Sequence, residues 1–529
     1  MFGLATALAV SLVVLCALGA LVAEAGRVEV LAELAKPLTR SIIRFTLWQA
    51  ALSALISVAL GVPLARALAR RGGLLGRRAL IRLSSISLVI PSMVAVLGMV
   101  AVHGRSGWVN HLLSALGLGR ADYLYGLTGI LLAHTFFNLP LATRIFLNQL
   151  LTLPQHTWNL AALYGMRPRH IFRHIEWPLL RGLIPGAAGM IFLLCFTSFA
   201  IVLTLGGGPQ STTLEVAIYQ AVRFDFDLSR AVALSLIQVA LCGLLAAGFF
   251  AFGAPFPLRP GDYPGIDRPD AGARWPRIID ATVIATASMF LLSPLVAALV
   301  KALAPGGWSI VADGEFWSAL RWTLLIAPSA GLLSCLCALS LANLTVTLRR
   351  SGRVAGWAVV PELVGLLTLL APPITLGAGL FLLFRRFTDA LSLGPAMVIV
   401  LNALLALAFA VRILTPALQA QRSRYDRLCA GLGISGWNRW HRVLWPALRH
   451  PIAYALAIAT TLSAGDMGVI ALFGTDDLST LPLLMYRLLG AYRVEQAAVV
   501  AALLCALCAG FFWAIERLGA AGQTSGPYA

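Results

Sequence analysis

The chain contains only two lysines, Lys36 and Lys301, in 529 residues, and they follow Ala35 and Val300. A nucleotide-binding phosphate loop needs a lysine directly after a glycine, so neither can serve, and the chain has no such loop. Acidic residues are scarce too, 22 against 40 basic ones. There is no H-E-x-x-H, no G-x-S-x-G and no pair of carboxylates in one apolar run, so no catalytic residue is assigned. The eight cysteines do not fill the gap. Seven lie in apolar runs, and the Cys505–Cys508 pair has no histidine or charge beside it, so they read as small packing residues. No metal and no cofactor is expected.

Apolar residues, by contrast, are abundant: 59% of the chain is apolar and 12% charged, with a mean hydropathy of +0.85. That composition makes an all-α integral membrane protein. A net charge of +18 in a soluble protein would point to nucleic acid. Here the arginines sit between apolar runs, where the positive-inside rule places them, so the expected surroundings are a lipid bilayer and no nucleic acid. Runs of spanning length cover about 2–24, 43–65, 83–103, 124–150, 183–205 and 229–254, then 278–303, 317–347, 356–384, 393–419, 451–473 and 494–516, about twelve transmembrane helices. The first run precedes Ala23-Glu24-Ala25, but a signal peptide starts with a basic stretch and the first positive charge here is Arg27. It reads as an anchor helix. Arg66, Arg70, Arg71, Arg77, Arg78 and Arg82 form the densest basic cluster and mark the cytoplasmic side.

Two polar segments interrupt this pattern, NLAALYGMRPRHIFRHIEWP at 159–178 and RLCAGLGISGWNRWHRVLWP at 427–446. Gly165 and Gly433 are 268 residues apart, and the same offset superposes Ala161 on Cys429, Ile175 on Val443, Trp177 on Trp445 and Pro178 on Pro446. The chain is a tandem repeat of one design. Six runs separate the two segments, so both face one side and the six-helix halves are parallel repeats. The glycines permit a bend and close approach of another backbone. The prolines suit the first turn of the next spanning helix, where a missing N–H costs nothing. Ile171 with Ile175, and Trp437 with Trp440, recur at helical spacing and make a small apolar face for a partner. The plain alternative is a basic helix lying on anionic lipid, which needs neither fixed glycine nor fixed proline.

The doubled segment resembles the EAA loop of ABC-transporter permeases, the cytoplasmic stretch that docks on the ATPase subunit. Asn159 and Arg427 stand where that family has glutamate, and tryptophan replaces its penultimate leucine in both copies. The resemblance implies a type I ABC importer permease architecture with ATPase-coupling residues Ala161, Gly165, Ile171, Ile175 and Pro178 in one loop and Cys429, Gly433, Trp440, Val443 and Pro446 in the other. Further stretches at 44–58, 125–144, 205–227, 462–474 and 480–493 look like the thiamine/thiamine-pyrophosphate importer permeases. That resemblance implies a multi-pass protein of the bacterial inner (plasma) membrane that imports thiamine. It also implies a homodimeric ABC ATPase on the cytoplasmic side, which would hydrolyse the ATP, and a periplasmic substrate-binding protein. Fused permeases for ferric iron share the architecture. A secondary transporter driven by an ion gradient is a more distant alternative, disfavoured by the scarcity of ionisable residues deep in the runs.

On this reading the chain divides into an anchor helix with an outer loop (1–40), a first core (41–254), a cytoplasmic linker (255–275), an additional helix of the second half (276–316) and a second core (317–519). Asp466 lies past the middle of its run and is either a pathway contact for the thiazolium cation or a cap between Gly465 and Gly468. Phe192, Phe196 and Phe199 form one stripe that could stack on a substrate ring, though packing between helices is the plainer use. His134 and Asn138 share a helix face and read as interhelical hydrogen-bonding groups.

Overall fold

The computed structural model describes residues 2–25, 30–73, 77, 80–81, 90–252, 268–351, 354–370, 372–385 and 392–520. Arg78, Arg82 and linker residues 255–267 lie outside the described residues. Among the described residues every regular element is helical. Among the described residues eight helices are long and apolar enough to cross a membrane: Phe2–Glu24, Pro37–Arg70, Leu127–Leu150, Leu228–Phe249, Arg274–Ala302, Gly314–Arg350, Gly394–Gly431 and Val494–Gly519. The other four runs are shorter or broken. They are Ser92–His103, Ile184–Phe196 followed by Ala200–Leu205, Val359–Leu370 followed by Pro373–Phe384, and Trp445–Gly465 followed by Gly468–Phe473. Two of the breaks fall at corresponding places, between Phe196 and Ala200 and between Gly465 and Gly468, with Ala200 and Gly468 related by the 268-residue offset. The duplication therefore extends from the loops into the spans.

The chain forms two packing units. In the unit of residues 34–217 and 240–303, helix Pro37–Arg70 is the spine on which Leu127–Leu150, Ile184–Phe196 and Arg274–Ala302 pack. Where water is absent, buried polar side chains hold helices together by pairing with each other. Ser53 Oγ and His134 Nδ1 are hydrogen-bonded at 3.0 Å, Gln49 donates to the Cys195 carbonyl at 2.9 Å, and Asn138 donates to Cys195 Sγ at 3.2 Å. His134 and Asn138 thus act as expected.

In the unit of residues 1–33, 218–239 and 304–529, Gly314–Arg350 packs on Gly394–Gly431 and Trp445–Gly465, and Val494–Ala520 covers the latter. Asn402 donates to Ser463 Oγ at 3.0 Å. These two stand 268 residues after His134 and Cys195, which bond instead to Ser53 and to Gln49 and Asn138. A second repeated contact is backbone to side chain. Thr46 Oγ1 accepts the Leu214 N–H at 3.1 Å and Thr323 Oγ1 accepts the Leu481 N–H at 3.0 Å.

The packing units cut across the sequence divisions 1–40, 41–254, 276–316 and 317–519. Helix Arg274–Ala302, assigned by position to the second half, packs on Ser92–His103. A β-carbon on Gly98 would lie 2.4 Å from the Pro294 carbonyl oxygen, so only glycine allows that approach. Helix Phe2–Ala25 packs on Pro373–Phe384, where a β-carbon on Gly379 would lie 2.3 Å from the Ala17 carbonyl oxygen. The leading helix of each half is therefore packed with the later helices of the other.

Candidate functional site: the duplicated loops

Each loop is a helical hairpin closed by a glycine in the left-handed region, Gly165 at φ 57° and Gly433 at φ 66°. The hydrogen bonds that close it match in both copies. Gly165 N–H bonds Ala162 O at 3.0 Å and Met166 N–H bonds Ala161 O at 3.0 Å. Gly433 N–H bonds Ala430 O at 3.3 Å and Ile434 N–H bonds Cys429 O at 2.9 Å. This pair of bonds satisfies carbonyls that a helix end leaves open and requires a positive φ at the residue after the cap. The small residues Ala161 and Cys429 occupy the last turn and both are buried, Ala161 against Ile171 of the returning arm.

The arm after each glycine is a helix containing a π-helical turn, Phe172–Glu176 in one copy and Trp440–Leu444 in the other. Trp177 N–H bonds back to Phe172 O, and Trp445 N–H to Trp440 O, five residues each. Pro178 and Pro446 supply the cause. A proline inside a helix has no N–H for the carbonyl four residues back and its ring collides with that carbonyl, so the preceding turn widens. The wider turn brings residues five apart together, Phe172 to Trp177 at 5.8 Å and Trp440 to Trp445 at 6.4 Å between ring centres.

Two expectations are corrected here. Pro178 does not open a new spanning helix; it lies within Pro168–Arg181, and the 51° bend to Ile184–Phe196 falls at Gly182–Leu183. Nor is Ile171 part of an outward docking face. It is fully buried against Trp158 and Ala161 of its own hairpin, with Ile175 packed beside them. An apolar pair at helical spacing could face either way, and the hairpin fold turns it inward. In the second copy Trp440 and Val443 are half-buried and Trp437 is 74% exposed. What both hairpins do expose, just before the glycine, is Leu160, Leu163 and Tyr164 in one and Leu428 and Leu432 in the other.

The contact between the two arms differs in kind. The first copy uses Trp158 against Ile171, 1% and 0% exposed. The second has Asp426 and Arg439 at those positions, joined as an ion pair that Arg350 completes.

Sequence reasoning missed the groups behind the first loop. Glu176, the lone acid between residues 151 and 181, is fully buried on the π-turn. It accepts hydrogen bonds from Arg66 Nε and from Arg268 Nη2, each at 2.6 Å. Arg268 also donates to both Asp270 oxygens at 3.0 Å, and Arg70 joins Asp270 at 2.9 Å to Asp280 at 2.8 Å. Arg71 closes the chain on Asp280 at 2.8 Å. The guanidiniums of Arg268 and Arg66 lie 4.1 Å over Trp158 and Phe172 respectively. Burial pushes the Asp270 carboxyl up, but Arg268 and Arg70 prevail and hold it below the usual carboxylate range.

The proposed pathway residues fall elsewhere. Phe192 stacks on Phe196 at 6.1 Å and meets Phe249 at 5.5 Å, and all three stripe residues are buried in helix packing. Asp466 stands in the break before Gly468–Phe473 and accepts the Val469 N–H at 3.1 Å, the geometry of a helix cap. Its counterpart in the first half is Ser198.

Residues 57–253, which include the first hairpin, match the family model described as "Binding-protein-dependent transport system inner membrane component". Over the whole duplicated length the likeness is closer. The chain is 41% identical over 479 residues to the thiamine transport system permease protein ThiP of Brucella abortus (strain 2308), covering 90% of this chain and 88% of that one. It is 43% identical over 480 residues to the same-named protein of Escherichia coli (strain K12), with 90% and 88% covered. The chain belongs to the family of thiamine transport system permease proteins. Haemophilus influenzae has a further relative, 37% identical over 480 residues and covering 89% of this permease and 87% of its own length. The permease is thus a multi-pass inner-membrane component, and both of its hairpins lie inside the family-wide span.

Proposed function

We propose that the chain is the transmembrane subunit of an ATP-driven importer and carries thiamine or its phosphates into the cytoplasm. The observation that carries the substrate is identity of 37–43% to relatives named as thiamine permeases, along about nine-tenths of the chain. The coupling role is supported by the two hairpins with matching turns and with exposed leucine or tyrosine at matching places. Two similar hairpins suit two copies of one ATPase, so the partner is a homodimer on the cytoplasmic side, where the flanking arginine clusters place both loops. ATP hydrolysis belongs to that subunit. A periplasmic binding protein delivers the substrate from the other face. The docking surface is Leu160, Leu163 and Tyr164 with Leu428, Leu432 and Trp437, rather than the buried Ile171. Asp466, a carboxylate at a break in a span, is the acid proposed to meet the cationic substrate.

A strain that cannot make thiamine and lacks this gene should need far more external thiamine, and the gene should restore it. Asp466→Asn should restore it only partly. Unchanged thiamine demand combined with lost ferric-iron uptake would move the protein to the iron permeases.

A further inference from the structure

We infer that Glu176 is a positioning residue for coupling: it locks the first hairpin, as one body, to the segment that joins the two halves of the chain. This rests on the reading that the hairpins receive the ATPase.

The geometry is that of a clamp on both arms. Arg268 immediately precedes the Pro269–Gly272 turn at the end of the joining segment, and it touches each arm of the hairpin. It donates to Glu176 on the returning arm and lies over the Trp158 ring on the outgoing arm. Arg66, near the end of helix Pro37–Arg70, makes a second bridge, to Glu176 and over Phe172. Asp270 and Asp280 then tie Arg268 through Arg70 to helix Arg274–Ala302. Arg268, Glu176 and Asp270 are almost fully buried, with side chains 1%, 0% and 0% exposed. A buried charge must keep its partners, so displacing the hairpin would strand Glu176 against Arg268 and Arg66. The first hairpin and the two helices are therefore one rigid piece.

The second hairpin has no such lock at that position. Leu444 stands 268 residues after Glu176 and is buried as an apolar side chain. Its inter-arm pair, Asp426 with Arg439 and Arg350, is roughly a quarter to a third exposed. One hairpin is thus built to transmit a push into the spans directly, the other through a looser joint. A buried charge network is an expensive way to fill space that Leu444 fills with a methyl-bearing side chain. Among the described residues it stands behind the first hairpin and not around Leu444, and that asymmetry is what assigns it a role in relaying movement.

The experiment uses the full complex of permease, ATPase and binding protein in lipid nanodiscs for hydrolysis and in proteoliposomes for uptake, with thiamine as substrate. Three permeases are compared: wild type, Glu176→Gln, and Glu176→Gln combined with Arg268→Met. The double variant removes one acid and one base together, so the buried charge stays balanced. Glu176→Gln should co-purify with the ATPase at the wild-type level and hydrolyse ATP, while thiamine imported per ATP falls about fivefold. The double variant should regain the wild-type melting temperature and keep the low import per ATP. Recovery of both stability and import in the double variant would overturn the proposal, leaving Glu176 as charge balance only. A loss of ATPase co-purification in proportion to import would overturn it as well, by making Glu176 part of the docking surface. Wild-type import that proceeds without ATP or the ATPase would instead refute the underlying transporter reading, independently of Glu176.

Discussion

The two hairpins share a turn and differ in what holds their arms together, and that difference can be measured. Trp158 is 1% exposed, packs on Ala161 and Ile171, and carries the Arg268 guanidinium 4.1 Å above its ring. Truncating a buried tryptophan to alanine costs about 3–5 kcal/mol, and the lost cation–π contact adds about 1 kcal/mol. Together, about 4–6 kcal/mol, this cost falls on the local opening of the turn, an equilibrium that shifts by about a thousandfold or more. The matching change in the other copy, Asp426→Ala, removes a partly exposed ion pair worth about 0–1 kcal/mol, a shift of at most about fivefold. The amides to follow are Met166, bonded to Ala161 O, and Ile434, bonded to Cys429 O, because they close the two turns identically. Hydrogen–deuterium exchange of the permease in nanodiscs reads both in one experiment. Trp158→Ala should speed exchange around Met166 strongly, and Asp426→Ala should change Ile434 little. Added salt should loosen the second turn and leave the first alone, since screening acts on the more exposed pair. Equal acceleration in the two variants, or a salt effect confined to the first hairpin, would refute the assignment of apolar burial to one copy and ion pairing to the other.

A β-carbon added at Gly165 or Gly433 meets nothing within 4 Å, so Gly165→Trp and Gly433→Trp should insert normally and obstruct only an approaching partner. ATPase pull-down should fall for both, beyond the about 1–2 kcal/mol that a left-handed residue costs the turn, whereas Gly→Asn at either site should bind nearly normally. Arg169→Cys and Arg442→Cys, exposed positions on the two returning arms, should resist membrane-impermeant thiol reagents in intact cells once Cys429 is replaced. Labelling of either from outside would break the parallel arrangement of the two halves.

Hydropathy and arginine placement made the membrane class legible, because apolar length and charge position act locally along the chain. The glycine turns were legible for the same reason: φ values of 57° and 66° admit few residues other than glycine, and the requirement appears twice. The exchange of leading helices was not legible. In lipid, an apolar helix gains nothing by hydropathy from one partner over another, and Gly98 against Pro294 is a fit of shapes. Glu176 was hidden for a related reason, since its partners lie 110 and 92 residues away.

Pro178 is a different case. Proline is favoured in the first turn of a helix, but at Pro178 a helix is already running. The local pattern held the correction. Both copies place an aromatic five residues before the Trp-Pro pair's tryptophan, Phe172 before Trp177 and Trp440 before Trp445. An α-helix brings residues three and four apart together, so a repeated spacing of five has no use in one. It has a use in a π-turn, whose wider winding brings those rings into tilted contact, and it is the proline that makes such a turn the lower-energy choice. The tryptophans that replace the family's leucine therefore brace the returning arm through these ring contacts while remaining 39% and 45% exposed. Trp177→Leu and Trp445→Leu should consequently loosen that arm without removing any contact that the hairpin tips offer to the ATPase.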